Sequence, residues 1–411
     1  MTIIEFYDKD ALETMAGALL CAPERVIFVG DNQKQMNRSI DKWKKVLADR
    51  NIATELLCRG VNKNNLWDIV ELLTELVARF DDCVFDLTGG EDLYLVAVGI
   101  VLANSKGAVQ CHRFNFRNDT VNDCDADGKV VRAGSFDITV DEQVALYGGE
   151  VVRDADREPS TYDWDFNEDF LADIETMWKI CCQNGRLWNA QIGTLGSINR
   201  HFRMEDSLDI SFEREHAARV LKGVGEKAVV VGGMLYELQK HGLIHSLVMH
   251  DTVSFTFKNE QVKRCLTVAG QILELVIAGR MATLRDADGV PLYHDIRVGV
   301  VIDWDGDEEG DAIRTVNEID VMAMKGAIPV FISCKNGDFD MEELYKLSTV
   351  ADRFGGKLVK KVLVSTELDK LGGKAAYLRA RMEDMKIRRL ENIDELSMAE
   401  LDRQLKSLWS N

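Results

Sequence analysis

The chain has 411 residues, of which 46% are hydrophobic, so a globular protein with two or three domains is expected. Its formal net charge of −19 argues against a protein that coats nucleic acid through Lys and Arg, but is compatible with a nuclease, whose metal site is acidic. No apolar run approaches the roughly 18 residues of a membrane helix, the N-terminus lacks a signal-peptide pattern, and the nine scattered cysteines without CxxC spacing favour a reducing cytoplasm.

The N-terminal part, residues 1–150, alternates strand and helix patterns. Short apolar runs at 25–29 and 83–87 predict buried strands, and each ends in a glycine-containing loop. Helical spacing at 69–80 and an apolar stretch at 93–103 predict the helices between and after them. This alternation indicates a parallel sheet covered by helices, so the fold class is α/β with a Rossmann-like N-terminal domain.

The middle part, residues 151–258, begins with a strongly acidic segment that resembles a linker. Two helical patterns, a further helix and an alternating strand follow it, at 168–183, 186–202, 234–243 and 252–257. Helix, turn and hairpin in this order predict a winged-helix-like module, although the same order is found in linkers that bind no DNA.

The C-terminal part, residues 259–411, has the order helix, strand, strand, strand, helix, strand. These elements are predicted at 261–278, 296–303, 318–324, 329–334, 341–354 and 358–364. Its polar residues are concentrated at the second and third strands.

Alternate side chains of a strand share a face, so Glu318 and Asp320 are expected to point together, as are Ser333 and Lys335. Pairing of the two strands as a hairpin would bring these polar groups face to face. Two neighbours on the first strand are expected to point into the core: Ile319 and Val321. Buried Asp and Lys side chains are rare unless they are paired or bound to metal.

This combination of residue types suits hydrolysis of a phosphodiester. The reaction needs an activated water and stabilisation of negative charge, and a Mg²⁺ or Mn²⁺ ion held by oxygen ligands supplies both. A lysine can orient or deprotonate the water and stabilise the developing charge. We therefore expect Asp320 to be the metal ligand and Lys335 the catalytic lysine. The alternative is an ordinary ion pair between them on a surface hairpin.

The pattern resembles the PD-(D/E)xK nuclease superfamily, in which an Asp on one strand is followed by an acid-x-Lys motif on the next. The helix predicted at 261–278 contains Ala269-Gly-Gln-Ile-Leu-Glu274, and its Glu274 resembles the glutamate on the first helix of that superfamily. Ser333 stands where an acid is usual, so the resemblance implies that Glu274 or Glu318 supplies the second carboxylate. Cys334 would offer only its backbone carbonyl to the metal.

Two loops follow predicted strands at the edge where open parallel sheets bind ligands. Neither is a GxGxxG or a Walker loop, so neither NAD nor ATP binding is predicted. Turn glycines without a ligand are the alternative. The candidate ligand-binding residues in the two loops are Gly30, Asp31, Asn32, Gln33, Thr88, Gly89, Gly90 and Glu91.

The stretch Asp86-Leu-Thr-Gly-Gly90, between a buried strand and a helix, resembles the CARF domain, a CRISPR-associated Rossmann-like sensor. With the motifs at 317–320 and 332–335, the whole chain resembles the CARF nucleases of type III CRISPR systems, which also include the Ser-Cys-Lys variant. Glu91 and Asp92 stand where CARF proteins often carry Thr-Lys, which puts cleavage of the ligand in doubt.

The resemblance implies a homodimer that binds a cyclic oligoadenylate, usually cyclic tetra-adenylate, across its two CARF domains. Binding would turn on Mn²⁺- or Mg²⁺-dependent cutting of DNA, RNA or both. It also implies the domain order CARF (1–150), winged-helix-like region (151–258) and PD-(D/E)xK domain (259–411).

Alternatives to an activated nuclease remain open. One is a CARF-type transcription regulator that uses the winged-helix-like module, and another is a ring nuclease that only degrades the messenger. The basic residues between 357 and 389 form either a nucleic-acid approach or a solvated surface. The acidic run at 303–311 forms either a metal loop or a solvated one, and its spacing does not match an EF-hand.

Overall fold

The computed structural model describes most of the chain. The described residues are 1–8, 10–105, 109–116, 118–124, 130–133, 136–153, 159–185, 187–225, 229–304, 316–366 and 368–409. Across these residues, no helix combines the length and apolar character needed to cross a membrane.

The N-terminal part is a seven-stranded sheet in the order β3-β2-β1-β4-β5-β6-β7. Its strands are β1 (Thr2–Phe6), β2 (Arg25–Gly30), β3 (Glu55–Gly60), β4 (Cys83–Asp86), β5 (Gln110–Asn115), β6 (Thr120–Asp123) and β7 (Val130–Ala133). Strands β1 to β5 are parallel to their neighbours, and β6 and β7 add an antiparallel edge. The Rossmann-like prediction is confirmed.

Four helices cover this sheet on both sides, which explains why β1 and β4 are buried along their whole length. The helices are α1 (Ala11–Cys21), α2 (Gln33–Asp49), α3 (Leu66–Arg79) and α4 (Asp92–Ser105). Side-chain caps fix where three of them begin, because Asp10, Asn32 and Asn65 each accept a hydrogen bond from the first turn.

The middle part is helical and carries a three-stranded antiparallel sheet in the order β10-β11-β9. Its elements, after α5 (Val140–Leu146) and β8 (Glu150–Val151), are α6 (Glu168–Asn184), α7 (Leu187–His201), β9 (Asp209–Glu213), α8 (Arg214–Gly223), α9 (Gly232–Lys240), β10 (Ile244–Met249) and β11 (Thr252–Phe257). From α7 to β11 the order is helix, strand, two helices and a hairpin. The winged-helix-like prediction is therefore confirmed as a fold.

The C-terminal part contains a mixed six-stranded sheet in the order β16-β15-β14-β13-β12-β8. Its elements are α10 (Glu260–Thr267), α11 (Gln271–Thr283), β12 (Asp295–Asp303), β13 (Val316–Lys325), β14 (Ile328–Lys335), α12 (Met341–Phe354), β15 (Lys360–Ser365), α13 (Gly373–Asp384), β16 (Ile387–Leu390) and α14 (Met398–Ser407). The short strand β8 pairs with β12 and so joins this sheet from residue 150.

The single helix predicted at 261–278 is wrong. The structure divides it into α10 and α11, because Gly270 has a φ of +93°, a left-handed value at which a right-handed helix cannot continue. This break lets α11 start afresh and place Glu274 in its first turn.

Two apolar clusters pack on opposite faces of the six-stranded sheet. One contains Ile332 and joins the sheet to α11 and the middle part, whereas the other contains its neighbour Phe331. The Phe331 cluster also includes Met15 and Trp43, which lie on α1 and α2 of the N-terminal part. The first and last parts of the chain therefore share one hydrophobic core and do not meet across a hydrated interface.

Candidate functional sites

Strands β13 and β14 separate near their polar ends, and this point is called the strand fork below. Their pairing extends as far as Val321 opposite Ile332. Beyond that pair, β13 continues beside β12, and β14 continues beside β15 as far as Lys335 opposite Ser365. The two strands diverge there, so residues 316–320 of β13 and 333–335 of β14 line an opening in the sheet.

Asp320 lies at the strand fork and is held by the end of β14. Its Oδ2 accepts a hydrogen bond from the backbone N–H of Cys334 at 2.6 Å and one from Oγ of Ser333 at 3.1 Å. Nζ of Lys335 lies 3.8 Å from the same oxygen. The structure thus brings together Asp320, Ser333, Cys334 and Lys335, as the hairpin hypothesis required.

The regular alternation predicted around Asp320 is wrong. Ile319 and Val321 are both buried, but Ile319 belongs to the Phe331 cluster and Val321 to the cluster on the other face. Gly299, across from Asp320 on β12, has a φ of +60°, a value that interrupts an extended strand. The irregular backbone at Gly299 accompanies this change, by which Ile319 and Val321 face opposite sides of the sheet.

Lys335 has a partner that the sequence did not predict. Its Nζ lies 2.6 Å from Oε2 of Glu343, in the first turn of α12. Burial lowers the pKa of Lys335, but the neighbouring charges of Asp320 and Glu343 outweigh it, and the pKa is raised above its usual value. Lys335 is therefore held as a cation.

Two further carboxyl groups face the strand fork. Burial, followed by the charges of Asp320 and Glu318, raises the pKa of Glu274 well above its usual value, while Lys335 acts in the opposite direction. The pKa of Glu318 is also raised, by burial and then by Asp320. Lys346, Lys335 and Arg264 lower the pKa of Glu318 by smaller amounts. Carboxyl groups that repel one another form an electrostatic setting that favours a bound cation.

The oxygen donors of this group suit a hard cation such as Mg²⁺ or Mn²⁺. Burial raises the pKa of the Cys334 thiol well above its usual value, so this residue can offer only its backbone carbonyl to such an ion. Among the described residues, no three His, Cys, Asp or Glu side chains are already gathered at metal-binding distances.

The two predicted ligand loops lie at the carboxyl edge of the N-terminal sheet, beside the point where the strand order reverses between β1 and β4. Gly90 has a φ of +102°, and a Cβ there would lie 3.0 Å from Cβ of Phe6, so only glycine fits. The Thr88 hydroxyl donates to Asp86 and accepts from the Phe114 N–H. Thr88 thus holds the loop in place, with its hydroxyl already engaged.

A lysine that the sequence analysis missed connects the two loops. Nζ of Lys63 lies 2.9 Å from Glu91 and 3.4 Å from Asp31. It stands in the loop after β3, and no motif marks it. Within the described residues, Lys63 lies between the two loops and can meet an anionic ligand at this edge.

A polar cluster joins the N-terminal and C-terminal parts beside the predicted ligand loop at 88–91. It is called the interdomain cluster below. Lys357, in the loop between α12 and β15, lies 2.6 Å from Glu13 and 3.3 Å from Asp8 through its Nζ. Its backbone N–H donates to Asp10 at 2.7 Å. A Cβ added at Gly89 would lie 3.7 Å from Cβ of Asp8 and 3.8 Å from Cβ of Glu13. The ligand loop therefore rests on the residues that hold Lys357.

Most of the basic segment between 357 and 389 is engaged within the chain. Lys361 pairs with Asp352, Lys374 with Asp338, and Arg379 with Asp369 and Glu391. These ion pairs favour a surface whose charges are already paired over a basic surface that is free to bind nucleic acid. The acidic run at 303–311 lies outside the described residues, apart from Asp303 at the end of β12 and Trp304.

Two solved structures share this fold over the full chain. Protein VC1899 from Vibrio cholerae is 19% identical, with a TM-score of 0.72, and the match covers 100% of this chain and 99% of that one. Can2 from Sulfobacillus thermosulfidooxidans, solved in complex with cyclic tetra-adenylate, is 17% identical, with a TM-score of 0.64 and coverage of 99% and 96%. These likenesses establish the fold. No protein-family model and no curated protein sequence matches the chain.

Proposed function

We propose that this protein is a metal-dependent nuclease of type III CRISPR antiviral defence that is activated by cyclic tetra-adenylate. The observation that carries the proposal is the meeting of Lys335 with Asp320 at the strand fork, within reach of the charges of Glu274 and Glu318. The shared fold with Can2, whose structure contains cyclic tetra-adenylate, supports the choice of activator.

In this proposal, Asp320, Glu274 and the Cys334 carbonyl hold a Mn²⁺ or Mg²⁺ ion. When bound, the ion activates water and stabilises charge on the phosphate. Lys335, kept protonated by its acidic neighbours, stabilises the negative charge that develops on the phosphate. Ser333 donates to Asp320 and fixes its orientation, which explains why a serine is suitable where an acid is usual.

Cyclic tetra-adenylate would occupy the edge formed by Gly30 to Gln33 and Thr88 to Glu91. The N-terminus of α2, beginning at Gln33, and the backbone of the glycine pair supply N–H groups for phosphate. Lys63 would exchange its contacts with Asp31 and Glu91 for contacts with the ligand. The symmetry of the ring then calls for a second copy of the site.

The second copy would pack on α4. This helix is apolar on nearly all sides, and it exposes 41% of Leu95 and 50% of Val96, while Trp67 on the adjacent α3 is 67% exposed. Such a face is costly in water and suits a partner surface. Because α4 starts directly after the glycine pair, packing two copies on α4 would bring two ligand loops together. A homodimer follows.

Activation would pass through the interdomain cluster. A ligand that moves the loop at 88–91 also moves Asp8 and Glu13, and these two residues hold Lys357. Lys357 follows the end of α12, whose first turn carries Glu343, the partner of Lys335. The ligand can favour the active arrangement only to the extent that it binds that arrangement more tightly.

The test is incubation of the purified protein with plasmid DNA, single-stranded DNA and RNA, with Mn²⁺ or EDTA, and with or without cyclic tetra-adenylate. We expect cutting of at least one polymer only when both the metal and the ring are present. Loss of the ring without polymer cleavage would favour a ring nuclease instead. Absence of cutting under every condition would refute the nuclease proposal.

The winged-helix-like arrangement favours one second candidate, a ligand-responsive transcription regulator. In winged-helix proteins the helix before the hairpin reads DNA, and here that helix is α9. Its Lys240 is paired with Glu237 at 2.9 Å, which weakens an attraction to phosphate. A mobility shift of duplex DNA that depends on cyclic tetra-adenylate, in the absence of metal and cleavage, would support this candidate.

A further inference from the structure

Two exposed tyrosines flank one arginine on neighbouring helices of the C-terminal part. Tyr345 on α12 is 50% exposed, and Tyr377 on α13 is 56% exposed. Nη2 of Arg381 donates to the Tyr345 hydroxyl at 3.1 Å, and Arg381 stands one helical turn after Tyr377. The pKa of Arg381 is raised first by this hydrogen bond and further by Tyr377, so both hydroxyl groups lie near its guanidinium. These three residues are called the tyrosine surface below.

One face of α13 connects the tyrosine surface to the strand fork. Lys374, Tyr377 and Arg381 follow one another at intervals of three and four residues, so they share a face of the helix and extend over about 10 Å. At the start of this face, Nζ of Lys374 lies 2.7 Å from Oδ1 of Asp338. Asp338 is three residues after Lys335, so their Cα atoms are at most about 11 Å apart. The face therefore begins near the strand fork and leads away from it.

A further cation lies between the strand fork and the tyrosine surface. Lys346 follows Tyr345 on α12 and stands three residues after Glu343, the partner of Lys335. Its charge reaches Glu318 at the strand fork. Lys346 is exposed, and it forms no ion pair within the part of the chain that the structure describes. A phosphate can therefore approach it without displacing a carboxylate.

We propose that the tyrosine surface binds the single-stranded part of the nucleic acid that is cut at Lys335. The inference rests on the proposed nuclease function and adds a substrate-binding surface to it. Bases of the strand stack on the rings of Tyr345 and Tyr377, and phosphates contact Lys346 and Arg381. Every base has an aromatic face, so a surface of this kind accepts many sequences.

Stacking, more than charge, supplies the binding. Two cations of this region already have carboxylate partners, because Arg381 lies 3.2 Å from Asp384 and Lys374 is paired with Asp338. Such exposed ion pairs are weak, so they can give way to a ligand, but they reduce its electrostatic attraction. The net charge of −19 reduces it further. Stacking of a base on an aromatic ring does not depend on these charges and strengthens binding by about tenfold.

The rings also select single strands. In a duplex each base lies between its stacked neighbours, so its face is closed to a tyrosine unless the base leaves the stack. In a single strand the bases can be splayed out and stacked on aromatic side chains. DNA and RNA share these base faces, and both therefore fit the tyrosine surface.

The experiment measures binding to the full-length Lys335→Ala variant by fluorescence anisotropy, with Mn²⁺ and cyclic tetra-adenylate present. Single-stranded DNA, single-stranded RNA and duplex DNA of mixed sequence are compared. Addition of Tyr345→Ala or Tyr377→Ala should each weaken binding of a single strand about tenfold, whereas Tyr377→Phe, which keeps the ring, should retain it. Tyr236→Ala removes a tyrosine of α9 that is 58% exposed and is the matched control, with no change expected.

Two further measurements separate the outcomes. Because stacking releases few counterions, the weakening by Tyr377→Ala should persist when salt is raised from about 50 to 200 mM. In the protein that retains Lys335, the same substitution should raise KM for cutting of a single strand about tenfold. Light scattering of Tyr345→Ala and Tyr377→Ala should give the mass of the wild type.

Equal binding by all the tyrosine variants, or equally strong binding of duplex DNA, would refute the tyrosine surface but leave the nuclease proposal standing. A changed mass in Tyr345→Ala or Tyr377→Ala would assign the surface to a contact between copies of the chain and would also refute it. Tyrosine-dependent binding of a single strand by a protein whose wild type cuts nothing would refute the nuclease alone.

Discussion

Nζ of Lys335 lies 2.6 Å from Oε2 of Glu343. Burial lowers the pKa of Lys335, but the charge of Asp320 and this contact with Glu343 raise it above its usual value. If Lys335 acts as a cation, activity is present below its pKa and is lost as the pH rises through it. Glu343→Gln removes one of the charges that raise this pKa, so the alkaline limb of the pH–rate profile should move to lower pH.

Glu342→Gln changes the exposed neighbouring acid and is the matched control, with no expected displacement of the alkaline limb. The opposite result, a gain of activity at neutral pH in Glu343→Gln, would mean that Lys335 works as a base once it is released. That outcome would overturn the electrostatic role assigned to Lys335.

The interdomain cluster should carry the coupling between ligand and nuclease. Lys357→Met removes the ion pairs with Asp8 and Glu13 but leaves the strand fork untouched. We expect the ratio of activity with and without cyclic tetra-adenylate to fall about tenfold, which is a typical size for a coupling between two sites. Because coupling is reciprocal, the affinity for the ligand should change as well. Activity ratios and calorimetric binding measure both quantities. Unchanged activation relative to the exposed control Lys222→Met would exclude this route.

A buried carboxyl group in the N-terminal sheet should make stability depend on pH. Burial, followed by the neighbouring carboxyl group of Asp86, raises the pKa of Glu5 well above its ordinary value of 4.5. The folded state therefore retains a proton that the unfolded chain releases, so stability falls as the pH rises above about 4.5.

Glu5→Gln cannot titrate and should show a flatter dependence on pH. By about pH 8 it should exceed the wild type in free energy of unfolding by roughly 1–3 kcal/mol. Urea denaturation at pH 5.5 and 8 provides the measurement, and Glu71→Gln on the exposed side of α3 is the control. Parallel curves for Glu5→Gln and the wild type would show that Glu5 is not the group responsible.

The exposed face of α4 should hold the homodimer together. Val96→Glu places a charge on the apolar surface next to Leu95, where a partner helix would have to bury it, so the dimer should dissociate. Light scattering after size-exclusion chromatography reports the mass. Val224→Glu, at a valine that is also exposed but lies in the middle part, should remain dimeric. A wild-type protein that is a monomer at micromolar concentration would refute the proposed interface.

Much of the fold follows from local patterns in the sequence. The runs at β2 and β4 are apolar because both faces of the sheet are covered, and this leaves a readable pattern. Helix α6 likewise begins where Asn167 caps it and was predicted within a residue. The division of 261–278 was missed, although Gly270 is the residue type that such a break requires.

The candidate sites were only partly predictable, because several contacts join residues far apart in the chain. Strand spacing placed Asp320 near Lys335, but Glu343 comes from a helix that packs on the sheet from a separate segment. Lys63 and Lys357 lie in loops whose partners are set by the tertiary fold. The irregularity opposite Asp320 depends on the left-handed backbone of Gly299, which alternation of residue types does not reveal.

Comparison of the wild type with Lys335→Ala tests the central claim most directly. Each protein is given single-stranded DNA and RNA with Mn²⁺ and cyclic tetra-adenylate, and binding of the ring is measured on the same preparations by calorimetry. The account predicts that the wild type cuts, that Lys335→Ala loses cutting by at least about 100-fold, and that both bind the ring equally. Undiminished cutting by Lys335→Ala would contradict the account, as would a wild type that binds the ring but cuts neither polymer.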